Sequence, residues 1–343
     1  MSEWPFEPPI LPMLAKVKES PPEPPGWVYE PKWDGFRAIA WGGTEVRLDS
    51  RNKRPLLRYF PELEAALRQL PAGSVVDGEV VVIIDDVTQF DQLQLRIHPA
   101  RSRVEMLSDE IPAELVAFDL LAHDGEDLRE RPYTERRQRL ESLFHRVGHP
   151  WHLTPVTDDL AVASEWFDAF EGAGCDGIIC KQADGVYRQD KRDWLKWKHR
   201  RDCDCVVGGY RVHKDGGKIG SLLLGVYNDA GDLHFIGHCS GFSDSDRSSL
   251  LARFEELRAD VSFGGGDAAR MPGALSRWSQ GKDLDWIPVE PDVVVQVSYD
   301  QLEGGRFRHA ARFERWRPDK PAEQCTMDQL ERPKVVGFST VVS

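Results

Sequence analysis

Between Ser74 and Ile84 the chain reads as a β-strand rich in valine and isoleucine, yet Asp77, Gly78 and Glu79 lie inside it. An unpaired carboxylate within a strand is costly to bury, so Glu79 is expected to face a cleft. The same conflict recurs elsewhere. Asp176 and Lys181 stand at the two ends of an apolar strand. The run Trp194-Leu195-Lys196-Trp197-Lys198 alternates, which places Lys196 and Lys198 on one strand face. In Tyr29-Glu30-Pro31-Lys32-Trp33-Asp34-Gly35-Phe36-Arg37 a single lysine sits between acids, ahead of a glycine that would let backbone approach a ligand. Strands that carry charge in this way require a fold built around a polar cleft.

The remaining pattern sets the fold class. Pro8 to Pro25 is proline-rich and should run extended. Gly42-Gly43 reads as a tight hairpin turn, and it delivers the basic turn Ser50-Arg51-Asn52-Lys53-Arg54. Phe60, Leu63, Leu67 and Leu70 have helical spacing. Thr134 is a candidate cap for a helix ending near Phe144. Another helix carries Leu160, Ala163, Phe167 and Phe170 and stops at Gly172 and Gly174. Strands and helices do not alternate regularly, so the first part is expected to be α+β with antiparallel sheets and flanking helices. A boundary is expected near His199 to Asp202, giving domains 1–201 and 202–343. In the second, short strands and one helix capped by Ser243 fit an OB-fold β-barrel.

With 44 Lys and Arg against 57 Asp and Glu, the net charge is −13. That argues against a general nucleic-acid coat, but it leaves room for a local basic groove on an acidic body. No apolar run approaches membrane-spanning length, and prolines break any apolar helix at the start, so no membrane partner or signal is expected. Six cysteines without small-scaffold spacing fit a reducing cytoplasm. Cys203-x-Cys205 reads as strand alternation, with half a zinc site as the alternative.

Lys32, Arg51, Glu79, Asp176, Lys181, Lys196 and Lys198 form one inventory. Taken singly, each is more often a solvated surface residue. Taken together, they supply a lysine nucleophile whose pKa burial or nearby cations can lower, acids for a divalent metal, and cations for phosphates. Nucleotidyl transfer needs that inventory, because its catalysis is mostly positioning and charge neutralisation.

The order of these motifs resembles the covalent nucleotidyltransferases, and most of all the ATP-dependent DNA ligases. Lys32 to Arg37 resembles the adenylation motif, and Ser50-Arg51, Asp77-Gly78-Glu79 and Phe118-Asp119-Leu120-Leu121 resemble those that follow. Asp176 to Lys181, Trp194 to Lys198 and Arg312 to Lys320 complete the series, with Pro12-Met13-Leu14-Ala15 near the start. The compact length is similar to the small bacterial ligase C and to the ligase portion of ligase D. One position departs: the family usually has Glu where this chain has Asp176.

The resemblance implies that Lys32 attacks the α-phosphate of ATP and carries AMP. Glu30 would take the adenine amino group and Phe118 would stack on the ring. Arg37 and Glu79 would hold ribose or metal-linked oxygens, with Arg51 on the phosphate side. Lys181 would line the nucleotide pocket, and Lys196 and Lys198 would contact the α-phosphate. Arg315, Arg317, Asp319 and Lys320 would reach the β- and γ-phosphates. Mg²⁺ or Mn²⁺ is implied, with Glu79 and Asp176 as its carboxylates. The implied partner is nicked double-stranded DNA, sealed by a cytoplasmic monomer in repair or end joining. A GTP-using capping enzyme, an RNA ligase, an NAD-dependent ligase and a catalytically dead OB-type scaffold are the rival readings. The Glu30 contact and the tail motif argue against capping, and the chain length argues against the NAD-dependent class.

Overall fold

In a computed structural model the described residues are 3–264, 271–272, 285–330 and 334–342. The chain divides into two compact units, Met1–Lys198 with Pro333–Ser343, and His199–Arg332. The last segment of the chain therefore groups with the first unit.

The first unit holds two sheets. Strands β1 (Ala15–Lys18), β2 (Trp27–Trp33), β10 (Cys175–Gln182) and β11 (Trp194–Trp197) form one, in the order β1-β11-β10-β2. The other runs in the order β4 (Arg47–Ser50), β3 (Phe36–Trp41), β5 (Val75–Ile84), β7 (Ala113–His123), β8 (Glu126–Asp127). Two strands join it at the side: β6 (Val87–Thr88) pairs with β5, and β9 (Trp151–Leu153) pairs with β7. Pairing is antiparallel except for β1 with β11 and β7 with β9.

Period-two alternation explains the layering. One face of the larger sheet packs Ala38, Val76, Val80 and Leu115 against Leu63, Leu67, Leu93, Leu140 and Leu143 from short helices. Its other face gives Ile39, Trp41, Val75, Phe118 and Leu121 to a cluster with Tyr187 and Trp194 from the smaller sheet's side. Helix Leu160–Ala169 covers the far side of the smaller sheet through Ala163, against Tyr29, Ile178 and Leu195. The charged strand residues are left at the junction of the two sheets.

Some local expectations shift. The β3–β4 hairpin closes at Trp41 and Arg47, so its connection is five residues rather than the Gly42-Gly43 pair. Helix Tyr133–Phe144 starts one residue before Thr134, with Pro132 at the cap position and no side-chain cap. The helix near Leu63 spans only Leu63–Leu67. Asp159 caps helix Leu160–Ala169 through Ala161 N at 2.7 Å, and a 3-10 turn, Phe170–Ala173, follows it and ends at Gly174 in the left-handed region. Gly35 has a structural reason to be small: a Cβ there would lie 2.2 Å from the carbonyl oxygen of Val80.

The second unit is a sheet ordered β14 (Leu233–Cys239), β13 (Ile219–Tyr227), β12 (Arg201–Val212), β16 (Val294–Tyr299), β19 (Arg312–Trp316). Strand β15 (Ile287–Pro288) pairs with β12, and β17 (Leu302–Glu303) pairs with β18 (Arg306–Phe307). The outer strands β14 and β19 approach each other at one isolated bridge, Cys239 with Ala311. Ser243 caps helix Asp244–Glu255 by accepting from Asp246 N at 3.3 Å. Cys203 and Cys205 lie on β12 within the apolar core, as strand alternation requires.

Candidate active site

A pocket opens where the two sheets of the first unit meet. Strand β2 supplies Glu30 and Lys32, β3 Arg37, β5 Glu79, and β7 Phe118. Strand β10 supplies Lys181 and β11 supplies Trp194 and Lys196; Met13, Arg51 and Arg192 are also in the wall. Register makes the convergence: Arg37 lies opposite Glu79, and Ile179 lies opposite both Glu30 and Lys196.

Lys32 Nζ is 2.9 Å from Asp176 Oδ2, and Lys198 Nζ is 2.6 Å from the same oxygen. Burial works against the charged form of Lys32, but Asp176, Asp34 and Glu79 outweigh it and its pKa stands above the ordinary value. The net direction is opposite to the expected lowering by burial or nearby cations, because burial does push it down but the acids prevail. Burial likewise opposes an ionised Asp176, yet Lys32 and Lys198 hold it below the usual carboxylate range. Lys196 is pulled down by burial and by the neighbouring charges of Lys32 and Lys198. Burial drives the Glu79 carboxyl up to about 7, against the opposing pull of Arg37 and Lys32.

The apolar end of the pocket is equally constrained. Phe118 is flanked by the Arg37 guanidinium at 4.5 Å and Lys181 Nζ at 5.0 Å from its ring centre. The next residue, Asp119, is buried in a two-pronged ion pair with Arg136, at 2.7 and 2.9 Å, which ties β7 to helix Tyr133–Phe144. Lys181 donates to Glu30 at 2.9 Å and to the Phe118 carbonyl at 2.8 Å; burial lowers its pKa despite the pairing with Glu30. The Tyr133 hydroxyl also donates to Glu30. Arg37 engages Asp77 with Nε and Nη2, and burial is again outweighed, so its pKa rises. Tyr187 donates to Asp77 at 2.6 Å and accepts from Met13 N at 2.9 Å.

The pocket thus gathers Lys32, Glu30, Arg37, Arg51, Glu79, Phe118, Lys181 and Lys196, while Lys198 reaches its edge through Asp176. The residues of the tail motif lie in the second unit. There Arg315 Nε donates to Gln296 at 2.7 Å. Arg317 spans two carboxylates, donating from Nη1 to Asp204 at 2.8 and 2.9 Å and from Nε and Nη2 to Asp319. Lys320 Nζ donates to Asp204 at 3.0 Å. Sequence reasoning missed Asp77, Tyr133, Tyr187, Arg136, Arg192 and Asp204 as members of these networks. Asp77 carried a signal, as a second acid inside the strand that holds Glu79.

Together the two sheets gather cations, carboxylates and an aromatic ring into one pocket of the first unit. Residues 12–198 match the family described as ATP dependent DNA ligase domain, and residues 215–320 match ATP dependent DNA ligase C terminal region. DNA ligase C2 of Mycolicibacterium smegmatis is 48% identical, over 96% of this chain and 97% of its own length. DNA ligase C of Mycobacterium tuberculosis is 47% identical over 99% of both. The solved structure of mycobacterial DNA ligase D complexed with ATP and MES is 29% identical, covers 92% of this chain and 98% of its own, and has a TM-score of 0.50. The chain belongs to the ATP-dependent DNA ligase family. Among the described residues no helix is long and apolar enough to cross a membrane.

Proposed function

We propose that this ligase works through Lys32. Its amine, once deprotonated, attacks the α-phosphorus of ATP; a P–N bond forms, the bond to the β-phosphate oxygen breaks, and pyrophosphate leaves. The AMP then passes to the 5′-phosphate at a nick as the P–N bond breaks. Attack by the 3′-hydroxyl on that phosphate seals the strand and releases AMP.

The observation that carries this reading is the partly exposed Lys32 amine in the pocket, 2.9 Å from Asp176, whereas Lys181, also paired with a carboxylate there, is fully buried against Glu30. Asp176 keeps Lys32 in place, and the amine must surrender its proton before attack. Phe118 offers a face for the base. Glu30, already fixed by Lys181 and Tyr133, still has lone pairs for the adenine amino group, because a carboxylate has about four acceptor sites. Arg37 turns Nε and Nη2 to Asp77, which leaves Nη1 for ribose oxygens. Lys196 and Arg51 face the phosphates, and Lys198 joins them when it exchanges Asp176 for the α-phosphate.

A divalent ion fits this donor set. Among the described residues no group of three or more His, Cys, Asp or Glu side chains could hold a metal. Mg²⁺-type ions take one or two carboxylates and complete their shell with phosphate oxygens and water, which matches Glu79 and Asp176. The ion would neutralise polyphosphate charge.

The second unit is read as an OB-fold barrel, supported by the bridge between its outer strands. It would bring Arg315, Arg317, Asp319 and Lys320 to the β- and γ-phosphates. The substrate is nicked duplex DNA, bound by a monomer, and the setting is DNA repair or end joining. Incubation with α-labelled ATP tests the core of the proposal. Wild type should form a covalent AMP adduct and should form none from α-labelled GTP, while Lys32→Ala and Lys32→Arg should form none, since guanidinium stays protonated. A wild-type level of covalent AMP adduct on Lys32→Ala would refute it.

A further inference from the structure

Arg317 and Lys320 converge on one point. Arg317 Nη1 lies 2.8 Å and Lys320 Nζ 3.0 Å from the same oxygen, Oδ2 of Asp204. Two like charges repel unless something between them compensates, and long cationic side chains lose rotamer freedom when fixed. Asp204 meets both requirements. It lies on β12 between Cys203 and Cys205, whose side chains enter the core, so alternation turns the carboxylate to the opposite face. Gln329 holds its backbone from both sides, accepting from Asp204 N at 3.3 Å and donating to Asp204 O at 3.5 Å.

The two carboxylates on the Arg317 fork are not equivalent. The Asp204 side chain is 11% exposed and sits on the rigid strand. The Asp319 side chain is 62% exposed. An anion arriving from solvent meets the Asp319 edge of the fork, whereas the Asp204 edge is sealed behind both cations. Asp204 is thus placed as a permanent anchor and Asp319 as the partner open to exchange.

We infer that Asp204 is a positioning residue for adenylation, holding Arg317 and Lys320 together as one cationic clamp for the leaving pyrophosphate. This rests on the reading that those two cations serve the β- and γ-phosphates. Asp204 itself touches no reacting atom. It acts by keeping the cations converged before ATP arrives, which lowers the ordering cost of binding.

The test uses the full chain with Asp204→Asn and Asp204→Glu, beside Arg317→Ala and Lys320→Ala. Lysyl-AMP formation is followed against ATP concentration, and sealing of a pre-adenylated nick is followed separately. Asp204→Asn should raise half-saturating ATP about tenfold and slow the reverse reaction with pyrophosphate comparably, while sealing of the pre-adenylated nick stays within twofold of wild type. Asp204→Glu should recover part of the loss by keeping the charge, leaving half-saturating ATP severalfold above wild type because the longer side chain shifts the point on which the cations converge. If Asp204→Asn does not fold, Asp204→Glu carries the test with a rise of severalfold in half-saturating ATP, again with sealing spared. A wild-type ATP dependence in Asp204→Asn, or in Asp204→Glu where that variant carries the test, with Arg317→Ala and Lys320→Ala impaired, overturns the role of Asp204 alone. Equal loss in adenylation and sealing overturns it too, because that is the mark of a structural defect. Wild-type adenylation in Arg317→Ala and Lys320→Ala overturns the clamp itself.

Discussion

Burial holds Glu79 neutral to about pH 7 although Arg37 and Lys32 both favour its charged form. The sign follows directly: the carboxyl is protonated below that value and anionic above it, so its capacity to bind a cation appears as pH rises. At limiting Mg²⁺, ionisation of Glu79 is expected to add, below about pH 7, up to about tenfold per pH unit to the rise that Lys32 deprotonation gives throughout. Glu79→Gln should lose that added limb and keep only the uniform rise from Lys32. A rate profile at limiting Mg²⁺ with the same limb in both proteins would rule Glu79 out as the group responsible. These residues could be read from sequence because charge inside a strand is a visible conflict. Their ionisation could not. A buried lysine nucleophile suggests a depressed pKa; of the acids that outweigh burial only Asp34 is close to Lys32 in sequence, and the folded arrangement is what adds Glu79 and Asp176.

At the scale of elements, Asp176 owes its position to a break in a strand. Strand β10 pairs with β2 at Cys175–Trp33 and again at Ile178–Pro31, with a register shift between them. Gly177 fills that bulge with φ +97°, and a Cβ there would lie 2.1 Å from the carbonyl oxygen of Trp197. A side chain would face both backbone strain and a collision with the strand that carries Lys196. Gly177→Ala is therefore expected to destabilise the protein by about 1–3 kcal/mol, and to slow adduct formation more than the stability loss explains, because Asp176 moves with the bulge. Denaturant midpoints read beside adduct rates would check this; an unchanged rate would separate Asp176 placement from the bulge. Sequence showed Asp176-Gly177 as a motif but not the bulge, since a register shift is a property of two paired strands. The hairpin after β3 failed for a related reason: Gly42 and Gly43 mark a turn, while strand register sets where pairing resumes.

Across the whole molecule, the chain leaves its first unit at Lys198 and returns to it at Pro333. The returning segment has definite partners. Phe338 N donates to the Asp86 carbonyl, and Ser339 donates to the Asp86 carboxylate from N at 2.8 Å and from Oγ at 2.7 Å. The Phe338 ring is buried, 5.3 Å from Trp33 and 4.9 Å from His152 between ring centres. Trp33 follows Lys32 on β2 and donates its indole N–H to Thr154 at 2.9 Å. Nothing in the sequence exposed this, because eleven residues without a long period carry no helical or strand signature, and the expected second domain runs over 202–343. Truncating Phe338 removes a large buried ring from behind the nucleophile strand. Phe338→Ala is expected to cost the first unit about 3–5 kcal/mol, lowering its thermal transition by roughly 6–20 °C. Val335, which is 80% exposed, serves as the control, and Val335→Ala should stay within about 0.5 kcal/mol of wild type. Phe338→Leu should recover part of the loss, since an apolar side chain of intermediate volume refills much of the cavity. If Phe338→Ala melted like wild type, the returning segment would add no stability to the first unit, and the buried ring beside Trp33 would not be what fixes the strand that carries Lys32.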